Sequence, residues 1–218
     1  MTVYMLNEDI VFPAPELADE DGLLAVGGDL SVDRLILAYV NGIFPWYGEE
    51  DDILWWCPKK RFIIKPEKIK ISKSMKKVLR NGGFQVKFDE DFPAVISNCR
   101  ELRENKDGTW INNDMKEAYI NLFNHGFASS VETYKDGVLV GGLYGVKIGK
   151  CFFGESMFSK VSNASKVALI SLAKKLEEEG FQFIDCQMYT SHLESMGGEF
   201  VEWNIFKEMI KKGIGDSE

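Results

Sequence analysis

The stretch from Ser130 to Cys186 constrains the fold more than any other part of the chain. Ser130-Val131-Glu132-Thr133-Tyr134 alternates as a strand does, Lys135-Asp136-Gly137 is a hairpin turn, and Val138-Leu139-Val140 returns along the first strand. Gly149 to Phe153 reads as a third strand of the same meander. The period then changes. From about Asn163 to Glu179, the residues Val167, Ala168, Leu172 and Leu176 share one face, with lysines and glutamates opposite, so a long amphipathic helix is predicted. Phe181 to Cys186 is an apolar run of the length expected for a buried strand. A meander, a helix and a further strand bury their apolar faces only by layering helix on sheet, which predicts the α+β class.

Upstream segments fit the same class. Phe62-Ile63-Ile64 is a predicted strand, Ser72 to Leu79 a short basic helix capped by Ser72, and Phe84 to Phe88 a strand. Phe92 to Leu102 is a predicted amphipathic helix, Asn112 or Asn113 caps another that runs to Asn124, and Trp203 to Lys212 closes the chain as a helix. The first sixty residues differ, being rich in Gly, Pro and Trp. They hold a short helix over Val32 to Val40, capped by Ser31 and stopped by Gly42, then the loop Phe44-Pro45-Trp46-Tyr47 and an aromatic strand around Leu54-Trp55-Trp56. The expected organisation is a small N-terminal α/β domain, residues 1–60, packed on a larger domain, residues 61–218.

Composition enters through charge and cysteine. The net charge of −8 argues at first sight against a nucleic-acid partner, yet ten basic residues and one acid lie between Lys59 and Arg80. An acidic protein that concentrates positive charge in one stretch has a patch suited to a polyanion, although a solvated basic face with no partner has the same composition. Cys57, Cys99, Cys151 and Cys186 are widely spaced, and only His125 and His192 could join them in a metal site. Core thiols and no metal are expected. No apolar run approaches the ~20 residues of a membrane span, and Met1 to Ile10 has no secretory pattern, so a cytoplasmic protein is expected.

Eight strings, in order along the chain, carry a resemblance. They are Gly22-Leu23-Leu24-Ala25-Val26-Gly27-Gly28-Asp29-Leu30, Gly42-Ile43-Phe44-Pro45-Trp46-Tyr47, Ile53-Leu54-Trp55-Trp56-Cys57-Pro58 and Gly108-Thr109-Trp110-Ile111. They continue with Leu139-Val140-Gly141-Gly142-Leu143-Tyr144-Gly145-Val146, Gly154-Glu155-Ser156-Met157-Phe158-Ser159, Asn163-Ala164-Ser165-Lys166 and Ile184-Asp185-Cys186-Gln187. Together they resemble the leucyl/phenylalanyl-tRNA–protein transferases, and the order of elements resembles the acetyltransferase-like (GNAT) fold.

The resemblance implies transfer of leucine or phenylalanine, with methionine a further candidate, from an aminoacyl-tRNA to the N-terminal lysine or arginine of an acceptor protein. The product is a peptide bond and an N-degron. It implies a monomer with no bound organic cofactor. Such a reaction needs two positioned substrates, a route for the amine's proton and stabilisation of the oxyanion, and no covalent enzyme intermediate. The implied catalytic residues are Asp185, Gln187 and Glu155. Two apart at a strand end, Asp185 and Gln187 are expected to share a face and one pocket. Asp185 orients Gln187 and attracts the cationic acceptor, Gln187 contacts the amine, and the relay runs through Gln187, water or a ribose hydroxyl. Glu155 orients the aminoacyl ester.

By the same resemblance the donor side chain meets Leu143, Phe152, Met157, Ser159, Leu169, Leu172 and Ile184. Their residue types alone read as core. Trp46 and Trp110 match aromatics that contact the terminal adenosine, although both also suit a domain junction. Lys73, Lys77 and Arg80 match basic positions on the tRNA acceptor stem, and Lys76 shares their helix. Ser129, Cys57 and Tyr134 depart from the family's usual histidine, serine and tryptophan. Two rivals stay open. An acyl-CoA-dependent acetyltransferase would want a glycine between Glu155 and Asn163, and none is there. A non-catalytic binding module would have no use for Asp185, Gln187 and Glu155.

Overall fold

The structure, a computed structural model, describes residues 3–104 and 111–215. Its first sheet is built from β1 (Tyr4–Leu6), β2 (Leu23–Gly27), β3 (Phe44–Pro45) and β4 (Leu54–Trp56), with helix α1 (Val32–Val40) between β2 and β3. The order is β1-β2-β4-β3, parallel only between β1 and β2.

The second sheet begins with β5 (Lys60–Ile64). After it come α2 (Lys73–Asn81), β6 (Phe84–Phe88), α3 (Phe92–Glu104), α4 (Asn113–Asn124), β7 (Ala128–Lys135), β8 (Val138–Ile148) and β9 (Cys151–Ser159). The chain ends through α5 (Ala164–Glu178), β10 (Phe183–Asp185), α6 (Ser191–Ser195), β11 (Glu199–Glu202) and α7 (Trp203–Ile214). Seven strands lie in the order β11-β5-β10-β9-β8-β7-β6. Every neighbouring pair is antiparallel except β9 and β10, whose parallel pairing is made by the α5 crossover. The architecture is the mixed α+β one expected, with helices packed on an almost wholly antiparallel sheet.

The expected caps are present: Ser31 accepts from the Arg34 amide, Ser72 from Met75 and Asn112 from Met115. The meander is longer than its alternation predicts, because β8 continues past Val140 through Gly141, Gly142 and Gly145. Glycine at 141 is required by close packing. A Cβ there would lie 2.5 Å from that of Ala164, so α5 could not approach the sheet. The short elements α6 and β11 were not anticipated.

Successive side chains alternate between two apolar layers. Phe152, Ile184, Leu143 and Val131 face α5 and Met75 of α2. Phe153, Phe183, Tyr144 and Val146 face the other way, in a layer continuous with Tyr39, Trp55 and Leu24 of the first sheet and Phe206 of α7. Two irregularities then open the sheet. β10 pairs with β9 only from Phe183 to Asp185, so β9 runs on alone on that side from Gly154. At that point Gly154 and Ser156 face Gly145 and Tyr144 of β8, leaving Glu155 as the extra residue of a β-bulge, a device that re-aims side chains.

Candidate active site

A cavity of about 480 Å³ fills the gap between the splayed strands, within the size range of small-molecule sites. Leu143, Phe152, Met157, Leu169, Leu172 and Ile184 line its apolar end. Ser159 does not. It stands exposed at the end of β9, where its hydroxyl donates to the Val161 carbonyl and accepts from the Ser165 amide, so it fastens the turn into α5. Trp46 lies at the mouth with Phe44 and Pro45. Its indole is part-exposed, packs edge-on to Trp56 at 5.8 Å, and its carbonyl accepts from the Trp56 indole N–H at 2.7 Å. Trp110 lies outside the described residues.

The polar end is organised around Glu155. The Tyr39 hydroxyl donates to its Oε1 at 2.7 Å, the Tyr119 hydroxyl to its Oε2 at 2.9 Å, and Gln187 Nε2 to Oε1 at 3.2 Å. The two tyrosine oxygens are themselves 2.5 Å apart. Burial raises the Glu155 carboxyl to about 7, and the negative charge of Asp185 adds to the rise, against the hydroxyls of Tyr39 and Tyr119 and the charge of Arg61. Burial, and then the charge of Glu155, raise both tyrosines well above the ordinary phenol value, so they remain protonated donors. Three oxygen–oxygen contacts share two hydroxyl protons while Glu155 is ionised. A proton on Glu155 completes the set.

Asp185 departs from its expected placement. It is fully buried and its carboxylate is taken by Arg61, with Nε 3.1 Å from both oxygens and Nη2 2.8 Å from Oδ2. Arg61 is likewise buried, donates through Nη1 to the Gly42 carbonyl at 2.8 Å, and lies between the rings of Phe44 and Phe206 at 4.7 and 4.8 Å. The shared-face expectation fails because β10 stops at Asp185. Residues two apart share a face only in an extended chain, and Gln187 is left-handed at φ 54°. Asp185 therefore points into the α7 side of the sheet, not into the cavity. With its charge already paired, it has no free oxygen with which to attract an acceptor. Its link to Gln187 is through the backbone, where Oδ1 accepts the Gln187 amide at 2.9 Å. That bond, with Cys186 N–H to Phe62 O at 2.8 Å, holds a conformation costing on the order of 1 kcal/mol or more in a non-glycine residue. Gln187 then turns its side chain into the cavity beside Glu155.

Tyr39, Tyr119 and Arg61 were missed as site residues. Tyr39 and Tyr119 sit on the apolar faces of α1 and α4 and read as core. The available signal was that a buried phenol needs a partner, and Glu155 is the acid that the bulge brings within reach. Arg61 falls within the basic stretch, although Arg followed by Phe-Ile-Ile on a strand leaves its charge facing the interior. Lys73, Lys76, Lys77 and Arg80 are all exposed along α2, which Met75 anchors to the core, away from the cavity wall. Cys57, Cys99 and Cys151 are buried, and among the described residues no three His, Cys, Asp or Glu side chains converge as metal ligands. No helix of the described residues is long and apolar enough to cross a membrane.

Similarity to known proteins agrees with this geometry. The family described as leucyl/phenylalanyl-tRNA protein transferase matches residues 63–211, and its N-terminal domain matches residues 28–59. The leucyl/phenylalanyl-tRNA–protein transferase of Flavobacterium johnsoniae is 50% identical over 96% of this chain and 99% of its own. That of Syntrophus aciditrophicus is 52% identical over 98% of this chain and 90% of its own. Among solved structures, FemX superposes with a TM-score of 0.53 at 10% identity, over 78% of this chain and 66% of FemX, a likeness of fold alone. The bulged Glu155, the Asp185-Cys186-Gln187 turn and the apolar cavity thus lie within a sequence matched along nearly its whole length, and the chain belongs to the leucyl/phenylalanyl-tRNA protein transferase family.

Proposed function

We propose that the protein transfers leucine or phenylalanine from the 3′ end of an aminoacyl-tRNA to the free α-amine of an acceptor protein. The observation that carries this reading is the two-ended cavity: an apolar chamber of side-chain size runs directly into the Glu155–Gln187 pair. The donor side chain occupies the space among Leu143, Phe152, Met157, Leu169, Leu172 and Ile184. The adenosine lies against Trp46, and family resemblance alone names Trp110 as a second aromatic partner. Acceptors beginning with lysine or arginine, action in the cytoplasm as a monomer, and marking of the product for degradation belong to the same reading and rest on family resemblance.

In this site the amine attacks the ester carbonyl carbon. The C–N bond forms, the ester C–O bond breaks, and its electron pair goes to the 3′ oxygen of the tRNA. Gln187 is no base, but donating Nε2 to Glu155 turns its Oε1 toward the incoming ammonium. Glu155 takes a proton from that ammonium, completing the hydrogen bonds with Tyr39 and Tyr119. The attacking nitrogen loses a second proton as the amide forms, and the 3′ oxygen gains one by way of water or the ribose hydroxyl. Asp185 and Arg61 are positioning residues that hold the Gln187 backbone. An acyl-CoA donor fits less well, because the Ala164 and Ser165 amides at the start of α5 already have protein acceptors in Val161 and Ser159.

A donor panel tests the reading. Leucyl- and phenylalanyl-tRNA are expected to react with an arginine-initiated peptide about 10- to 200-fold better than isoleucyl-tRNA, the range an apolar pocket can discriminate. Equal use of isoleucine would sink it. Charge reversal at Lys73 and Lys77 together is expected to raise KM for the donor and to lower the slope of log KM against log salt concentration by roughly one per lost phosphate contact. Salt dependence equal to wild type would remove α2 from the tRNA interface. Tyr119→Phe is expected to move the acid limb of the pH–rate profile upward by about one unit, since a hydrogen bond to a carboxylate is worth ~1.5–3 kcal/mol. An unmoved limb would show that this limb is not Glu155.

A further inference from the structure

Beyond Gln187 the chain builds a surface that the bond-making step itself does not touch. Met188, Tyr189 and Phe200 are 55%, 47% and 57% exposed, high values for large apolar side chains placed together. Tyr189 stacks on Phe200 with centroids 5.8 Å apart and planes 18° from parallel, and Phe62 packs edge-on to both. This shelf is continuous with the cavity, whose wall includes Met188 and Thr190 on either side of Tyr189.

We infer that the Tyr189–Phe200 shelf binds the acceptor polypeptide just past its N-terminal residue, as an extended segment with an apolar side chain near its third or fourth position. The inference rests on the proposed transfer reaction and adds the acceptor's path to it. Distance supports it. The Gln187 backbone lies beside Phe62, and Phe62 pairs with Phe200, so the shelf is two strand spacings, about 10 Å, from the residue that meets the amine. An extended chain advances about 3.3 Å per residue, which brings its third or fourth residue there. Charge supports a polypeptide over the tRNA. The cations beside the shelf are already paired, Lys60 with Glu202 and both Lys65 and Lys68 with Glu199, and the Tyr189 hydroxyl donates to Glu194. A phosphate backbone would gain little from such a rim.

The test uses the full chain, leucyl-tRNA and two acceptors, Arg-Gly-Leu-Phe-Gly and Arg-Gly-Ser-Ser-Gly. Wild type is expected to show a KM about tenfold lower for the apolar peptide, the effect of burying one more large apolar contact. Phe200→Ser with Tyr189→Ser is expected to abolish that ratio, whereas Phe200→Leu keeps most of it, which separates lost contact from lost fold. Equal KM for the two peptides in wild type, or an unchanged ratio in the double variant, would overturn the inference while leaving the transfer reaction standing. A raised KM for leucyl-tRNA in place of the peptide effect would assign the shelf to the donor. A concentration-dependent oligomer lost in the double variant would assign it to a second copy of the chain. Failure of wild type to use any peptide would remove the reading of function and this inference with it.

Discussion

Asp185→Ala is expected to lose about 3–5 kcal/mol of folding stability, read from the shift of its urea midpoint, because it leaves the buried Arg61 guanidinium without its carboxylate. The ion pair is wholly out of water, and Arg61 keeps only the Gly42 carbonyl and the faces of Phe44 and Phe206. Such a loss is a large fraction of the stability of an ordinary domain. Transfer activity should collapse as well, even where the variant is folded, since the Gln187 amide loses the acceptor that fixes its left-handed turn. Asp185→Asn separates the two effects. It retains one oxygen for the Gln187 amide or for Arg61 but not the charge, so it should recover part of the activity at reduced stability. An alanine variant as stable as wild type would contradict the assignment of Asp185 to the interior network.

Glu155→Gln should behave in the opposite way, with the fold retained and transfer lowered by about 10²–10⁴, the usual weight of a positioned acid or base. Glutamine matches the size of glutamate and still accepts from one tyrosine hydroxyl, but it takes up no proton. The pH dependence has a definite sign. A folded-state value of about 7 leaves the wild-type base protonated at pH 6 and ionised at pH 8, so its rate climbs across that interval. The variant should lack this limb and retain only that of the acceptor amine, near pH 8 for a free α-amine. Stability has the reverse sense. The carboxyl value is raised above 4.5, so the folded state holds the extra proton between about 4.5 and 7, and wild-type stability falls as pH rises through that window. The glutamine variant should therefore gain on wild type as pH rises from 5 to 8. A full-rate Glu155→Gln enzyme with an unchanged pH profile would exclude Glu155 from proton transfer.

The parts of the fold legible in the sequence were those set by local chemistry. Ser31, Ser72 and Asn112 cap the helices they were expected to cap, and the apolar face of α5 follows its 3.6-residue period. The full meander is not legible, since Gly141, Gly142 and Gly145 interrupt the alternation of β8, and only the fold shows Ala164 of α5, Phe158 and Phe152 pressed against them in turn. Pairing between β9 and β10, and the bulge at Glu155, depend on partners far away in sequence, and no window of the chain encodes them. The donor pocket could be named only through family resemblance, because Leu143, Phe152 and Ile184 have the residue types of any core. Misplacement of Asp185 came from extending a strand rule past the strand's end. Ser159, assigned to the pocket by resemblance, lies outside it because the turn into α5 claims its hydroxyl. Arg61 and the two tyrosines are not legible as site residues because charge invites a surface reading and an aromatic ring a core reading. In this molecule each is buried and spends its polar atoms on the site.

The most direct measurement is transfer of radiolabelled leucine from leucyl-tRNA to a peptide beginning with arginine, followed by identification of the product's N-terminal residue. Wild type is expected to yield a peptide lengthened by one leucine in amide linkage to the former N-terminus, with none formed when that α-amine is acetylated. Folded protein that leaves the peptide unlabelled from both leucyl- and phenylalanyl-tRNA would contradict the account.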